Sequence, residues 1–392
     1  MPTIQKRGDT YRIRVSAGYD AKGRQIMKST TWKPAPGMTP KQIQKELDRQ
    51  AVLFEEKVKS GRCLDGNIRF QDFAERWFED YAKEHLRIRT YGEYVRMKER
   101  TYQAIGHIRL DKLQPHHLLE FYKQLGEPGV NQRTGGGLAP KTILHYHTFI
   151  SSILDRAVKW GMLEDNPCRR VDPPKAARHE IDCMNDEEAL QFLACLERES
   201  PENKALYTLL LYTGMRRGEA LGLEWEDVDF QTGVISIKRT SQYTGALGTF
   251  TDETKTEQSK RSLRVPMNVI DVLNAHRVAQ NELRLKLGDR WQGSRRIFTN
   301  ADGSDMSANI PLHRLKSILK KNGLREVSLH SLRHTNATLL IQQGISIRAV
   351  SGRLGHSQTS TTMNIYAHQI QSADAAAADA LDIALSGGKR RA

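Results

Sequence analysis

Apolar and polar residues alternate along YRIRVSAGY (11–19) and again along QIMKSTTW (25–32), with DAKGR between them. A period of two in short runs around a Gly-bearing bend predicts a β-hairpin that turns at Asp20 to Gly23. The period then lengthens. Thr39 and Pro40 read as the cap and first residue of a helix, and Ile43, Leu47, Val52, Phe54 and Val58 carry its apolar face to about Lys59, where Ser60-Gly61 ends it. One helix against one small sheet makes a compact module, and RCLDGN reads as the linker behind it.

From Phe70 the residues Phe70, Phe73, Ala74, Trp77, Phe78 and Tyr81 recur at three and four, which predicts an amphipathic helix to Leu86. Further helices are expected at about 89–104, 115–125 and 139–160, and the Gly- and Pro-rich EPGVNQRTGGGLAP should be mobile. After Asn166-Pro167, CRRVDPPKAARHE alternates prolines and charges without an apolar period and reads as a linker. ALYTLLLYTGMRRGEALGLEWEDVDF then predicts a helix to about Tyr212, a break at Thr213-Gly214 and a second helix from near Arg216. VISIKRTSQ and SKRSLRVP predict two strands joined by a long hairpin that carries TDETKTEQ. The expected fold is multidomain α+β. It comprises a small β-sheet plus helix module (1–62), an all-helical domain (67–165), a linker (166–180), a mainly helical domain with a small antiparallel sheet (181–371) and a tail (372–392).

Charge narrows the partners. The 392 residues carry 60 Lys plus Arg against 46 Asp plus Glu, a net charge of +14, which favours a polyanion and nucleic acid over membrane. Residues 1–33 alone hold eight basic against two acidic side chains. Arg12, Arg14, Arg24 and Lys28 on the hairpin, and Arg87, Arg89, Arg96 and Lys141 on the helices, are candidates for DNA contact, against the plain alternative of solvated faces. Cys63, Cys168, Cys183 and Cys195 are scattered, no signal peptide is visible, and no apolar run approaches the ~18 residues that span a bilayer. The expectation is a cytoplasmic protein with free thiols.

Reactive side chains concentrate in LHSLRHTNATLL from Leu329 and LGHSQTSTTMNIYAH from Leu354. His330, Arg333, His356 and Tyr366 combine a phenol, a permanent cation and two imidazoles. A phosphodiester is an anion, and the five-coordinate transition state of its attack places more charge on two non-bridging oxygens, which a guanidinium fork matches bidentately. A phenol titrates near pKa ~10 and is a weak nucleophile until cations or a base draw off its proton. Upstream, Gly214 lets Arg216 emerge at a helix start, where free N–H groups also collect phosphate. Glu219 lies one turn on, placed to orient that guanidinium or cap the helix. Lys255 stands between two threonines in the hairpin, where a lysine is ordinarily just solvated. His330 and His334 have the four-residue spacing of a zinc-ligand pair, but no Glu follows His330, and no metal is expected.

Together these residues resemble a tyrosine recombinase of the phage integrase type, over the whole chain and most specifically in its second half. The family's Thr-Gly-x-Arg-x-x-Glu/Asp motif is matched by Thr213, Gly214, Arg216 and Glu219, its hairpin lysine by Lys255 and its His-x-x-Arg pair by His330 and Arg333. Its Leu-Gly-His is matched by Leu354, Gly355 and His356, and its nucleophile by Tyr366. Arg217 follows Arg216 directly, and Gly214 and Glu219 set the register that selects Arg216.

The resemblance implies a site-specific recombinase of a mobile element that works through a 3′-phosphotyrosyl intermediate and a Holliday junction. In that scheme Arg216 and Arg333 hold the phosphate oxygens, His330 assists proton transfer, His356 donates a hydrogen bond, Lys255 protonates the leaving oxygen and Tyr366 attacks. Neither nucleotide, metal nor other cofactor is called for. The three domains become arm-type DNA-binding, core-binding and catalytic. The expected partners are double-stranded DNA at core-type and arm-type sites, three further copies in a homo-tetramer, and DNA-bending and directionality factors, in a bacterial cytoplasm at the nucleoid. The tail is expected to pack on a neighbouring protomer or on its own domain. A type IB topoisomerase-like strand transferase shares the chemistry and is the alternative.

Overall fold

The computed structural model describes residues 2–19, 21–59, 68–175, 182–245, 248–253 and 260–355. The chain divides into two compact units, Met1–Arg178 and His179–Ala392. The first opens with an antiparallel sheet of β1 (Thr3–Arg7), β2 (Thr10–Tyr19) and β3 (Gln25–Trp32), in that order. The expected hairpin is β2–β3. β1 is an addition, and its five residues are all exposed with one large apolar side chain among them, so it carries no inward period to read. Ile13 and Val15 of β2 are buried against Leu47, Ala51, Phe54 and Val58 of α1 (Pro40–Lys59). Thr39 caps α1 as expected, the Gln42 amide donating to its Oγ1 at 3.4 Å while its own amide donates to Gln42 Oε1 at 2.9 Å. Alternation puts Arg12 and Arg14 on the sheet face away from α1. Lys28 pairs with Val15 and therefore lies on the helix side.

The helical part of this unit comprises α2 (Phe70–Trp77), a π-helical turn at Phe78–Ala82, α3 (Lys83–His85), α4 (Ile88–Thr101), a second π turn at Tyr102–Gly106, α5 (Pro115–Leu125) and α6 (Pro140–Lys159). The three-four period of α2 turns Phe70, Phe73 and Trp77 into one core with Phe149 and Ile150 of α6. The Trp77 and Tyr94 rings stand 6.4 and 4.9 Å from Phe149. Each such fully buried side chain stabilises by about 1.5–3 kcal/mol. Two expectations change here. The Gly-rich loop before α6 is laced by backbone bonds, Gly129 N to Gly135 O at 2.8 Å, Asn131 N to Gly136 O at 2.9 Å and Leu138 N to Leu125 O at 2.8 Å, in place of the mobile segment expected. The start of the expected linker is folded: Pro167–Arg170 is a 3₁₀ turn capped by Asn166, and Cys168 and Val171 are buried in the helical core. Residues 176–180 of that linker lie outside the described residues.

The second unit holds α7 (Asp186–Leu196), α8 (Pro201–Thr213), α9 (Arg217–Gly222), α10 (Met267–Leu287), α11 (Ile310–Lys321), α12 (Leu329–Gln342) and α13 (Ile347–Leu354). Its strands are β4 (Val228–Asp229), β5 (Val234–Ile237), β6 (Arg239–Thr244), β7 (Gly248–Glu253) and β8 (Arg261–Arg264), arranged as a β4-β5-β8 sheet and a separate β6-β7 pair. VISIKRTSQ is thus two strands in two sheets. The switch falls at Lys238, where the buried Asp227 carboxylate takes Lys238 Nζ at 2.9 Å and Arg239 Nη1 at 2.5 Å. α8 is buried along most of its length, so its apolar residues run without a clear stripe. Among the described residues no helix is long and apolar enough to cross a membrane.

His276 of α10 is buried, its ring stacked 5.5 Å from Phe298 and its Nε2 donating to Ile297 O at 2.7 Å. Burial holds this imidazole below its ordinary 6.5, against the pull of the Ile297 bond. The folded state favours the neutral ring, so this contribution is complete above the unfolded pKa and is lost as the pH falls below it. The melting temperature should drop between about pH 7 and 5, and His276→Gln, which still donates to Ile297, should make the drop shallower. An identical pH slope in the variant contradicts the assignment.

Candidate active site

A helix ends with its last carbonyls unpaired, and at the end of α8 those carbonyls are where the site is built. Gly214 terminates the helix at φ 61°, in the left-handed region, and a Cβ there would stand 2.5 Å from Leu354 Cδ2 and 2.8 Å from Asn336 Oδ1. Its amide donates to Leu210 O at 3.0 Å. Side chains of α12 and α13 take the carbonyls beyond. Asn336 Nδ2 donates to Leu211 O at 2.9 Å and Tyr212 O at 3.1 Å, Arg353 Nη2 to Tyr212 O at 3.0 Å, and Arg333 Nη1 to Gly214 O at 2.8 Å. Two guanidiniums therefore sit at the negative end of a helix dipole, which stabilises cations. Arg333 is only 2% exposed.

The chain restarts as α9 with Arg216 at the N-cap. Glu219 both caps and orients: its Oε2 accepts the Arg216 amide at 2.9 Å and its Oε1 accepts Arg216 Nη1 at 2.8 Å. A second fork reaches the same carboxylate. Arg261, at the start of β8, gives Nη2 to Oε2 at 2.9 Å and Nη1 to Oε1 at 3.3 Å, and its Nε donates to Arg353 O at 2.7 Å. Arg216 Nη2 donates to Gly355 O at 3.1 Å. Gly355 is left-handed at φ 68°, and a Cβ there would meet Arg261 Nη1 at 2.7 Å, so Arg261 packs directly on the Leu-Gly turn.

Burial alone would raise the Glu219 carboxyl, but the Arg261 hydrogen bonds and charge, then the Arg216 amide and guanidinium, hold it below the ordinary carboxylate range. His330 is held below its usual value by partial burial, by Arg333 and by Arg216, which places the ring in the field of both guanidiniums and keeps it neutral near pH 7. A neutral imidazole accepts a proton. His334 meets His330 edge-on at 4.7 Å and is pushed down to about 4 by burial, His330 and Arg333. The spacing that suggested a zinc pair instead gives two rings in an edge-to-face contact.

Of the residues expected to react, Arg216, His330 and Arg333 come together here, with Glu219 beneath Arg216. Lys255, His356 and Tyr366 lie outside the described residues, as does the tail 372–392. In sequence Lys255 falls between β7 and β8, and His356 follows Gly355. Arg261, Arg353 and Asn336 are participants the sequence reading missed. Arg261 left a signal: it stands two residues before buried Leu263, on the inward side of its strand. The DNA-contact candidates belong to the first unit. Arg14, Arg24, Arg87, Arg89, Arg96 and Lys141 are exposed, Arg89 pairs with Glu93 at 3.2 Å, and Arg12 is partly covered and donates to Ser29 Oγ at 3.1 Å.

Residues 182–372 match the phage integrase family, and residues 69–126 match the N-terminal SAM-like domain of phage integrases. A tyrosine recombinase XerC-like protein of Caldanaerobacter subterraneus subsp. tengcongensis is 27% identical over 385 residues, 92% of either chain. The chain belongs to the phage integrase family of tyrosine recombinases, enzymes of site-specific DNA strand cleavage and rejoining. Its fold is shared by the Tn1549 transposon integrase, solved in complex with a circular intermediate DNA, at 18% identity and a TM-score of 0.62 over 76% of this chain and 94% of that one. A lambda integrase tetramer bound to a Holliday junction gives 13% identity and a TM-score of 0.53 over 92% of this chain and 94% of that one.

If the α8 terminus organises the site, Gly214→Ala should lose more than backbone strain. Left-handed φ alone costs an L-residue about 1–2 kcal/mol. Gly323, at φ 66° with open space around it, supplies the control. In urea unfolding Gly323→Ala should show the strain cost only, and Gly214→Ala a larger loss together with slower DNA cleavage. Equal losses and equal cleavage rates in the two variants would contradict the role given to Gly214.

Proposed function

We propose that Arg216, Lys255, His330, Arg333, His356 and Tyr366 act together on one scissile phosphate, with Glu219 supporting Arg216. The observation that carries this reading is the anchoring of Arg333 on the Gly214 carbonyl, two residues from Arg216, with His330 feeling both charges. Tyr366 Oη attacks phosphorus as His330 takes its proton. The bond to the 5′-oxygen breaks, and Lys255 protonates that oxygen. Arg216 and Arg333 neutralise the charge that builds on the non-bridging oxygens, and His356 donates a hydrogen bond to them. The resulting 3′-phosphotyrosyl link conserves the bond energy, so the 5′-hydroxyl of a partner strand reverses the step, and two rounds pass through a Holliday junction.

The substrate is double-stranded DNA at core-type and arm-type attachment sites of a mobile element, and the active assembly is a homo-tetramer aided by DNA-bending and directionality factors. The lambda integrase tetramer on a Holliday junction, which shares this fold, supports that assembly. Residues 1–62 are read as the arm-binding module, with Arg12 and Arg14 on its open sheet face. Residues 67–165 are read as the core-binding domain, carrying Arg87, Arg89, Arg96 and Lys141, and residues 181–371 as the catalytic domain. The folded turn at Pro167–Arg170 leaves the later part of 166–180 as the linker. The tail, 372–392, is read as packing on a neighbouring protomer. The setting is a bacterial cytoplasm, at the nucleoid.

Tyr366→Phe keeps the ring and loses the attacking oxygen, so it should bind DNA and form no adduct that survives denaturant. A surviving adduct in that variant would sink the assignment. Lys255→Ala should cleave ordinary DNA slower by about 10² to 10⁴-fold, the usual cost of losing a general acid. A substrate whose bridging 5′-oxygen is replaced by sulfur leaves as a thiolate without that proton and should restore a rate near wild type. Failure of sulfur to rescue moves the role to another basic residue of the hairpin, Lys260 first. Removal of residues 1–62, whose core of Ile13, Val15, Leu47, Ala51, Phe54 and Val58 is its own, should spare core-site cleavage and abolish binding to arm-type DNA. Loss of core cleavage in a folded truncation counts against independent modules.

A further inference from the structure

We infer that Arg261 is a positioning residue whose charge keeps Arg216 cationic toward the DNA, an inference that rests on Arg216 acting at the scissile phosphate. A guanidinium paired one-to-one with a carboxylate is a neutral dipole, and its pull on an anion is weakened, most of all where water cannot screen the pair. The Glu219 side chain is 2% exposed and receives Arg216 Nη1 at 2.8 Å. That carboxylate caps α9 and orients Arg216, yet alone it would cancel the charge it orients. Arg261 resolves the conflict by bringing a second guanidinium to the same two oxygens, so the Arg216–Glu219–Arg261 trio carries one net positive charge.

The two arginines divide the work by exposure. The Arg261 side chain is 8% exposed, with Nη1 and Nη2 on Glu219 and Nε on the Arg353 carbonyl, whereas the Arg216 side chain is 42% exposed. Arg261 therefore faces protein and acts through Glu219, and Arg216 presents the charge to solvent and to DNA. Arg261 also leads the strand that follows the segment with Lys255 and packs on the Gly355 turn just before His356. In sequence it follows Lys255 by six positions, and in space it holds the Glu219 carboxylate that also takes Arg216.

The test separates charge from support. Full-length wild type, Arg261→Gln, Arg261→Lys and the Arg261→Gln/Glu219→Gln double variant are compared in single-turnover formation of the Tyr366–DNA adduct on a nicked duplex. The scissile group is either the ordinary phosphodiester or a methylphosphonate, whose neutral phosphorus centre lacks one non-bridging oxygen. Arg261→Gln should lose about 10²-fold on the phosphodiester, the scale of losing one preorganised charge-stabilising group, and most of that loss should vanish on the methylphosphonate. The double variant, in which Arg216 is no longer cancelled, should be faster than Arg261→Gln alone. Arg261→Lys, which keeps the charge, should keep the wild-type ratio between the two substrates. If Arg261→Gln fails to fold, the double variant and Arg261→Lys decide by the substrate ratio, which both should keep at the wild-type value, and a ratio that collapses in either overturns the inference. An unchanged substrate ratio in Arg261→Gln, or a double variant slower than the single, overturns the inference and leaves the proposed function standing. Absence of a Tyr366 adduct in wild type overturns both.

Discussion

The unpaired carbonyls at the end of a helix are the constraint on which the second unit depends. α8 is buried along most of its length, so its terminal oxygens have no water to turn to, and an unsatisfied buried carbonyl costs about 1–3 kcal/mol. The protein meets that demand with Asn336, Arg353 and Arg333, drawn from two later helices. One requirement of backbone chemistry thus ties α8, α12 and α13 together. It also fixes a guanidinium of the His-x-x-Arg pair against the glycine that precedes Arg216.

Electrostatics then decides what this corner is good for. Arg216, Arg261, Arg333 and Arg353 crowd a region that holds the Glu219 carboxylate and the partial negative charge of a helix end. Crowded cations raise the energy of the empty site and lower that of an anion entering it. The same field depresses His330, so the arrangement proposed to hold phosphate oxygens also keeps the imidazole beside it neutral. Placing those groups on helix ends and a strand start, packed on a buried core, holds them at fixed separations before DNA arrives.

Much of this was legible in the sequence because the chemistry depends on local geometry. Thr213, Gly214, Arg216 and Glu219 lie within seven consecutive residues, and the helix-break-helix they form is a property of that segment alone. The amphipathic helices of the first unit were readable for the same reason. What escaped depends on partners far along the chain. β1 shows no period because it is an exposed edge. VISIKRTSQ read as one strand because nothing local says that Asp227 will take two cations at Lys238 and Arg239 and turn the chain between sheets. Cys168 and Val171 are too few to make a pattern, yet both are buried in the helical core. Arg261 looked like one more basic residue in a basic strand until Glu219, 42 positions earlier, was found to hold it.

On the proposed function Arg216 and Arg333, fixed around the end of α8, bind the same phosphate. A crystal structure of the Tyr366→Phe protein on its uncut core-site duplex measures this directly. Both guanidiniums should lie within hydrogen-bonding distance of non-bridging oxygens of one phosphate, with Arg261 still on Glu219 and away from DNA. A scissile phosphate held by only one of the two, or an Arg333 released from the Gly214 carbonyl to reach it, would contradict the account.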